Sequence, residues 1–169
     1  MAYLTVDEGE VPAGESQRRP GLHTETPGVD IGGIGPAMGF VYHPWGMGWV
    51  NSREPVGGIY MASNVSGSTL MYDVEVREDK VGEVGDGDVG WLRSGMGEGV
   101  LSEAGAVYWM NDRVPHESMP LEGGGARQYV RVVLGAISVW FEDHSTKNPL
   151  CGVGEGVRVV RGNKFEPGR

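Results

Sequence analysis

The chain has 169 residues, with 30 glycines, 10 prolines, one cysteine and a formal net charge of −9. That length suffices for one domain with its own core, taken here as residues 1–169 with the core at about 20–141 and a polar extension at 142–169. The single Cys151 excludes an internal disulfide and a cysteine-based metal cluster, and the acidic balance argues against a general nucleic-acid binder, which needs a basic face.

No apolar run reaches membrane-spanning length, and the N-terminus lacks the basic and apolar segments of a secretory signal. A soluble cytoplasmic or other intracellular protein is therefore expected, and the sequon Asn64-Val65-Ser66 is read as chance. Glycine and proline are spread along the chain, and the longest stretch free of both runs from Ser68 to Val81. This spacing predicts many short strands joined by tight turns, an all-β fold with few or no helices.

In chain order, Ala2 to Val6 reads as a first strand, followed by a polar stretch to Gln17. His23 and Glu25 stand two apart, so on a strand both side chains leave the same face and their donor atoms can converge on one ion. A solvent-facing strand explains the same pair. Residues 27 to 58 are rich in glycine and aromatics. Gly33-Ile34-Gly35 with Gly39 lacks the preceding strand and following helix of a dinucleotide loop, and Pro36 interrupts it. His43-Pro44-Trp45 reads as a loop beside an aromatic cluster, with His43 a spare candidate ligand.

Gly58 to Ser63 and Leu70 to Val76 read as strands, the second with Leu70, Tyr72, Val74 and Val76 on its apolar face. Asp79 to Gly90 reads as an acidic surface loop, and Asp86-Gly87-Asp88 lacks the spaced ligands of a calcium loop. Ala106 to Met110 is apolar and aromatic and reads as a buried strand. Asn111-Asp112-Arg113 supplies turn chemistry, and Val114-Pro115 makes a stiff extended step that delivers His116. His116 is then either a satisfied histidine at a strand end or an imidazole aimed inward.

A glycine-rich loop, Glu117 to Gly125, leads to the clearest strand, Ala126 to Leu134. One face carries Arg127, Tyr129, Arg131 and Val133, the other Gln128, Val130, Val132 and Leu134, and periodicity leaves open which face turns inward. Ala136 to Phe141 and Val157 to Val160 read as further strands around a polar stretch that carries His144.

Of the four histidines, His23 and His116 stand at ends of expected strands, and His23 has a carboxylate two residues on. Two imidazoles and one carboxylate form the facial set that leaves open positions on a non-haem Fe(II) or another divalent ion. The stretch from Gly105 to His116 resembles the second conserved motif of the cupins: a glycine opening a buried strand, a turn, and a histidine ligand. The sequence departs from it at Asn111-Asp112-Arg113, where cupins usually carry Pro-x-Gly, and it lacks their His-x-His first motif. His23-Thr24-Glu25 is similar instead to the His-x-Asp/Glu motif of Fe(II)- and 2-oxoglutarate-dependent oxygenases, which share the double-stranded β-helix.

The resemblance implies a jelly-roll fold, with an ordinary β-sandwich as the alternative. It implies Fe(II) or another divalent metal on His23, Glu25 and His116, and 2-oxoglutarate held at its distal carboxylate by Arg131 or Arg127. The reaction would be oxidative decarboxylation to succinate coupled to oxidation of a small-molecule substrate, with Trp45, Trp49, Trp109 and His43 lining the substrate pocket. A cupin metalloenzyme without 2-oxoglutarate and a non-catalytic binding or structural subunit are the other readings. Neither nucleic acid nor a membrane is an expected partner, and a homodimer is left open.

Overall fold

The computed structural model describes residues 2–25, 42–77 and 87–161. The glycine loop around Gly33-Ile34-Gly35 and the acidic residues 78–86, Asp86 included, lie outside the described residues. Short strands are what the glycine and proline spacing demands, and the described residues form them as β1 (Tyr3–Val11), β2 (Trp45–Asn51), β3 (Glu54–Ser63), β4 (Thr69–Met71), β5 (Val100–Leu101), β6 (Val107–Met110), β7 (His116–Ser118), β8 (Gly125–Leu134), β9 (Ala136–Ile137), β10 (Val139–Phe141) and β11 (Arg158–Val160). A 3-10 turn spans Gly90–Gly95 among the described residues. Among the described residues no helix is long and apolar enough to cross a membrane.

The fold is all-β, and its large sheet is curled and antiparallel, in the order β1-β8-β3-β2-β9. Both β2 and β6 pair with β3, β2 along Glu54 to Gly57 and β6 along Ile59 to Ala62. The exchange of partners falls at Gly57 and Gly58, whose φ values of 66° and 81° suit only glycine. A Cβ on Gly58 would lie 2.4 Å from the Trp109 indole nitrogen, so the ring rests directly on the backbone there. A second antiparallel sheet, β5-β4-β7, carries His116, and β10 and β11 form a parallel pair.

The two antiparallel sheets share a core: Met71 of β4 clusters with Ile59, Met61, Tyr129 and Val133 of the large sheet. A second apolar cluster gathers Leu22, Tyr72, Val76 and Val89. β8 resolves the ambiguity of its two faces, because Arg127, Tyr129, Arg131 and Val133 are buried while Gln128 and Val130 are exposed. Both arginines therefore point inward.

Several sequence expectations need correction. Trp45, read with His43-Pro44 as loop, instead opens a strand that runs to Asn51, and Ser52 and Arg53 make a two-residue turn with positive φ, the conformation that joins twisted antiparallel strands. The strand expected at Leu70 to Val76 ends at Met71, since the Tyr72 N–H bonds Pro115 O and the Val76 N–H bonds Arg113 O outside any ladder. Val107 is 69% exposed, so the strand before His116 is not the buried one its composition suggested. The strand expected at Ala136 to Phe141 is divided into β9 and β10, while the one expected at Val157 to Val160 is present as β11 beside β10.

Candidate functional site

The segment from Leu22 to Glu25 lies between two neighbours. On one side the Val89 N–H donates to Leu22 O at 3.0 Å and the Thr24 N–H to Gly87 O at 2.9 Å. On the other, His23 and His116 exchange both backbone hydrogen bonds, at 3.0 and 2.9 Å, and the Glu25 N–H donates to Asp112 O at 3.0 Å. The approach to His116 is as stiff as Val114-Pro115 dictates: Pro115 is fully buried, and Asn111 Oδ1 accepts the Arg113 N–H at 3.0 Å to close the turn before it.

This pairing brings the two imidazoles to a centroid distance of 4.6 Å. His23 Nδ1 lies 2.7 Å from Gly21 O, and His116 Nδ1 lies 2.9 Å from Val114 O. A carbonyl only accepts, so each ring donates from Nδ1, and in the neutral ring Nε2 keeps its lone pair. Burial first, and the neighbouring His116 second, lower the His23 pKa from 6.5 to about 3, which keeps that ring neutral at ordinary pH.

His116 Nε2 faces Glu25 Oε1 at 3.6 Å. Two acceptors at that range are unfavourable unless a cation or proton sits between them. Donor atoms about 2.0–2.2 Å from one tetrahedral ion stand about 3.4 Å apart, so the spacing fits a shared ion.

Glu25 has another partner, however. Arg131 Nη1 donates to Glu25 Oε1 in a buried ion pair, Arg131 Nη2 reaches Thr5 Oγ1 at 3.3 Å, and the guanidinium lies 5.0 Å from the Trp45 ring. Burial works against the charged guanidinium, but the Glu25 carboxylate together with Tyr129 and Tyr3 more than offsets it, and the net pKa is raised. Two expectations change accordingly. Arg131 does not present a free fork to a ligand carboxylate. His23, Glu25 and His116 are adjacent, yet among the described residues no three His, Cys, Asp or Glu side chains make a group that could hold a metal. A carboxylate bonded by a guanidinium has spent the charge that would attract the ion.

Arg127 is no freer as an anchor. It is 1% exposed and donates to three hydroxyls, Ser63 Oγ at 3.2 Å, Ser118 Oγ at 3.3 Å and Thr69 Oγ1 at 3.3 Å. Burial lowers its pKa, and the opposing pull of Tyr129 and Asp7 does not make up for it.

A cavity of about 970 Å³ opens along β1, with Arg131, Trp45 and Trp140 in its wall and residues 144 to 149 on its far side. Of the four residues expected to line a substrate pocket, Trp45 alone borders this cavity. Trp49 points outward at 53% exposure. Trp109 packs on the Gly48–Gly58 backbone and donates its N–H to Gly57 O at 3.0 Å, a structural bond that occupies its polar edge. His43 is half-buried in the approach to β2 and does not reach the cavity.

Sequence reasoning passed over Asp112. It is 1% exposed, its Oδ2 accepts the Tyr42 O–H at 2.6 Å and the Trp45 N–H at 2.8 Å, and its Oδ1 is buried without a partner. Burial raises its pKa. Asp112 thus fastens the start of β2 to the turn that aims His116. An Asp within a polar turn gives no pattern that separates this role from ordinary turn chemistry. Glu117, also passed over, is gripped by both ends of the Arg93 guanidinium at 2.6 and 2.8 Å, which ties the 3-10 turn to the residue after His116.

In comparisons with known proteins, no family model, no curated protein and no solved structure matches this chain.

Proposed function

We propose that the protein is a metal-dependent oxygenase of the cupin type, a double-stranded β-helix that acts on a small molecule without 2-oxoglutarate. The observation that carries the reading is the imidazole pair: two rings held by one backbone bridge, each with Nδ1 committed to a carbonyl and Nε2 left as a lone-pair donor. Such outer hydrogen bonds are what fix a metal-binding histidine in its tautomer and orientation. His23 and His116 would hold Fe(II) or another divalent ion, with Glu25 joining them once it gives up Arg131. The ion would supply Lewis acidity and one-electron chemistry toward oxygen. The chain's own contribution is to keep His23 neutral, to fix both ring orientations and to store Glu25 beside them as an ion pair.

The 2-oxoglutarate part of the expectation finds no support in the arginines. Arg131 is committed to Glu25, and Arg127 is closed in by hydroxyls. A second reading, a non-catalytic binding protein, draws on the same Glu25–Arg131 pair, which leaves the interior neutral without any ion.

Titration of chelator-stripped protein with Co(II), followed by calorimetry and visible absorption, separates the two. The enzyme reading expects one ion per chain, no uptake by His116→Ala and weaker uptake by His23→Ala. Absence of uptake by the unaltered protein would establish the non-catalytic reading.

A further inference from the structure

We infer that the cavity along β1 is a binding site for a small organic carboxylate with a flat apolar body. The chain carries a net charge of −9, yet among the described residues that line this cavity none is Asp or Glu. Arg18, Arg131 and Lys147 line it, with His144 beside them. The carboxylates that balance these cations are not lining residues: Asp7 holds Arg18 at 3.0 Å, Glu25 holds Arg131, and Glu142 holds Lys147 at 3.2 Å. Each cation is paired, so the wall is close to neutral, and what it offers a carboxylate is N–H donors with no acidic residue among the described lining residues to repel it.

Two further observations point to an acceptor. Trp140 Nε1 and Arg131 Nε are buried N–H donors without a hydrogen-bond partner, and both residues are in the cavity wall. Both nitrogens are closed to solvent, so a ligand oxygen would meet them only after a small shift of the Trp140 ring or the Arg131 guanidinium.

The rest of the wall sets the body of the ligand. Tyr3, Trp45, Trp140 and Phe141 are contiguous there, with Tyr3 ring centroids 5.2 Å from Trp45 and 5.3 Å from Trp140. Aromatic walls with a few convergent donors describe a small-molecule pocket, and 970 Å³ is at the upper end of the usual range, about 300–1,000 Å³. β1 pairs along one edge with β8, and residues 2 to 6 and 144 to 149 both line the cavity. None of this requires an ion at the histidines, so the inference stands apart from the metal reading.

The test uses three probes that share one ring and differ in charge: indole-3-acetate, its neutral amide and the cationic amine tryptamine. Each is titrated by calorimetry into the full chain in chelator-containing buffer. The expected result is one site per chain, with indole-3-acetate at least ten times tighter than the amide and tryptamine weakest. The double variant Arg18→Gln/Lys147→Gln, at one half-buried and one exposed position, should weaken the acid at least fivefold and leave the amide unchanged. Trp140→Phe, which keeps a ring but removes the N–H, should weaken the acid as well. Equal affinity for acid and amide would overturn the proposal, and so would absence of binding by all three probes. Near-UV circular dichroism of each variant shows whether a loss reflects the cavity or the fold.

Discussion

Arg127 and Arg131 stand four residues apart on the same face of the same strand, both buried, and the molecule treats them in opposite ways. Arg131 is neutralised by a carboxylate, Glu25, whose own neighbour is the histidine pair. Arg127 is held by Ser63, Thr69 and Ser118, hydroxyls from β3, β4 and β7 that join the two antiparallel sheets through its guanidinium. The pKa directions follow, raised for Arg131 and lowered for Arg127. One end of the strand is a charge pair at the wall of a cavity. The other is a neutral shell that tolerates a cation and offers it nothing to exchange. Chemistry is expected at the first end and architecture at the second.

The largest effect comes from breaking the charge pair. Glu25→Ala leaves Arg131 buried without a counter-charge and is expected to cost about 3–5 kcal/mol of stability in urea unfolding. The double variant Glu25→Leu/Arg131→Met, which removes both charges and keeps apolar volume, should recover most of that loss. A Glu25→Ala cost under about 1 kcal/mol, the range of exposed pairs, would mean that this end of β8 is wetter than described here.

At the other end the loss should be smaller. Thr69→Val removes one of the three hydroxyls and leaves a buried guanidinium N–H unmet, for about 1–3 kcal/mol. If Thr69→Val proved as costly as Glu25→Ala, the contrast between charge pair and neutral shell would fail.

How far the sequence could anticipate this contrast is instructive. The alternation of β8 was legible, as was the Pro115-stiffened approach to His116, because both rest on local backbone rules. Which face of β8 turns inward was not, since Val130 and Val132 are as apolar as the face with Tyr129 and Val133. The adjacency of His23 and His116 was anticipated from residue types and spacing. The partner of Glu25 was not: Arg131 is 106 residues away, and nothing local distinguishes a carboxylate that waits for an ion from one that already has a guanidinium. β2 was missed for a different reason. Its composition, rich in glycine and aromatics, carries no strand period, whereas Gly48 is in the strand with Gly58 and the Trp109 ring against its backbone.

Acid sharpens the comparison next, because a titrating histidine lies at the Arg131 end and none is among the Arg127 contacts. The His23 pKa in the fold, about 3, lies below its ordinary 6.5, so the folded state favours the neutral ring. Its contribution to stability is fully present above pH 6.5 and is lost as the pH falls toward 3. Between pH 7 and 5 the loss should be about 1–2 kcal/mol, after allowance for the part of the ring that still meets solvent. Urea midpoints across that range should fall more steeply for the unaltered chain than for His23→Gln. Equal slopes would mean that the ring is not held neutral by the fold.

The smallest effect tests whether the Arg131 end can exchange its partner. Arg131 lines the cavity and also holds Glu25, so a carboxylate bound in the cavity and the Glu25 side chain compete for one guanidinium. Each step that draws Arg131 toward the cavity releases Glu25 toward His116, whose Nε2 is 3.6 Å from it. Metal and carboxylate should then help each other, and linkage requires the help to be reciprocal. Saturating indole-3-acetate should tighten Co(II) binding about fivefold, at the low end of coupling between sites, and Co(II) should tighten indole-3-acetate by the same factor. Glu25→Gln should remove the coupling, because the amide carries no charge for Arg131 to balance. Arg127→Met should leave the coupling intact, since that guanidinium touches neither site. Absence of coupling in both directions would mean that the cavity and the histidines bind independently. Coupling that survived Glu25→Gln would take the Glu25–Arg131 pair out of the connection between cavity and histidines.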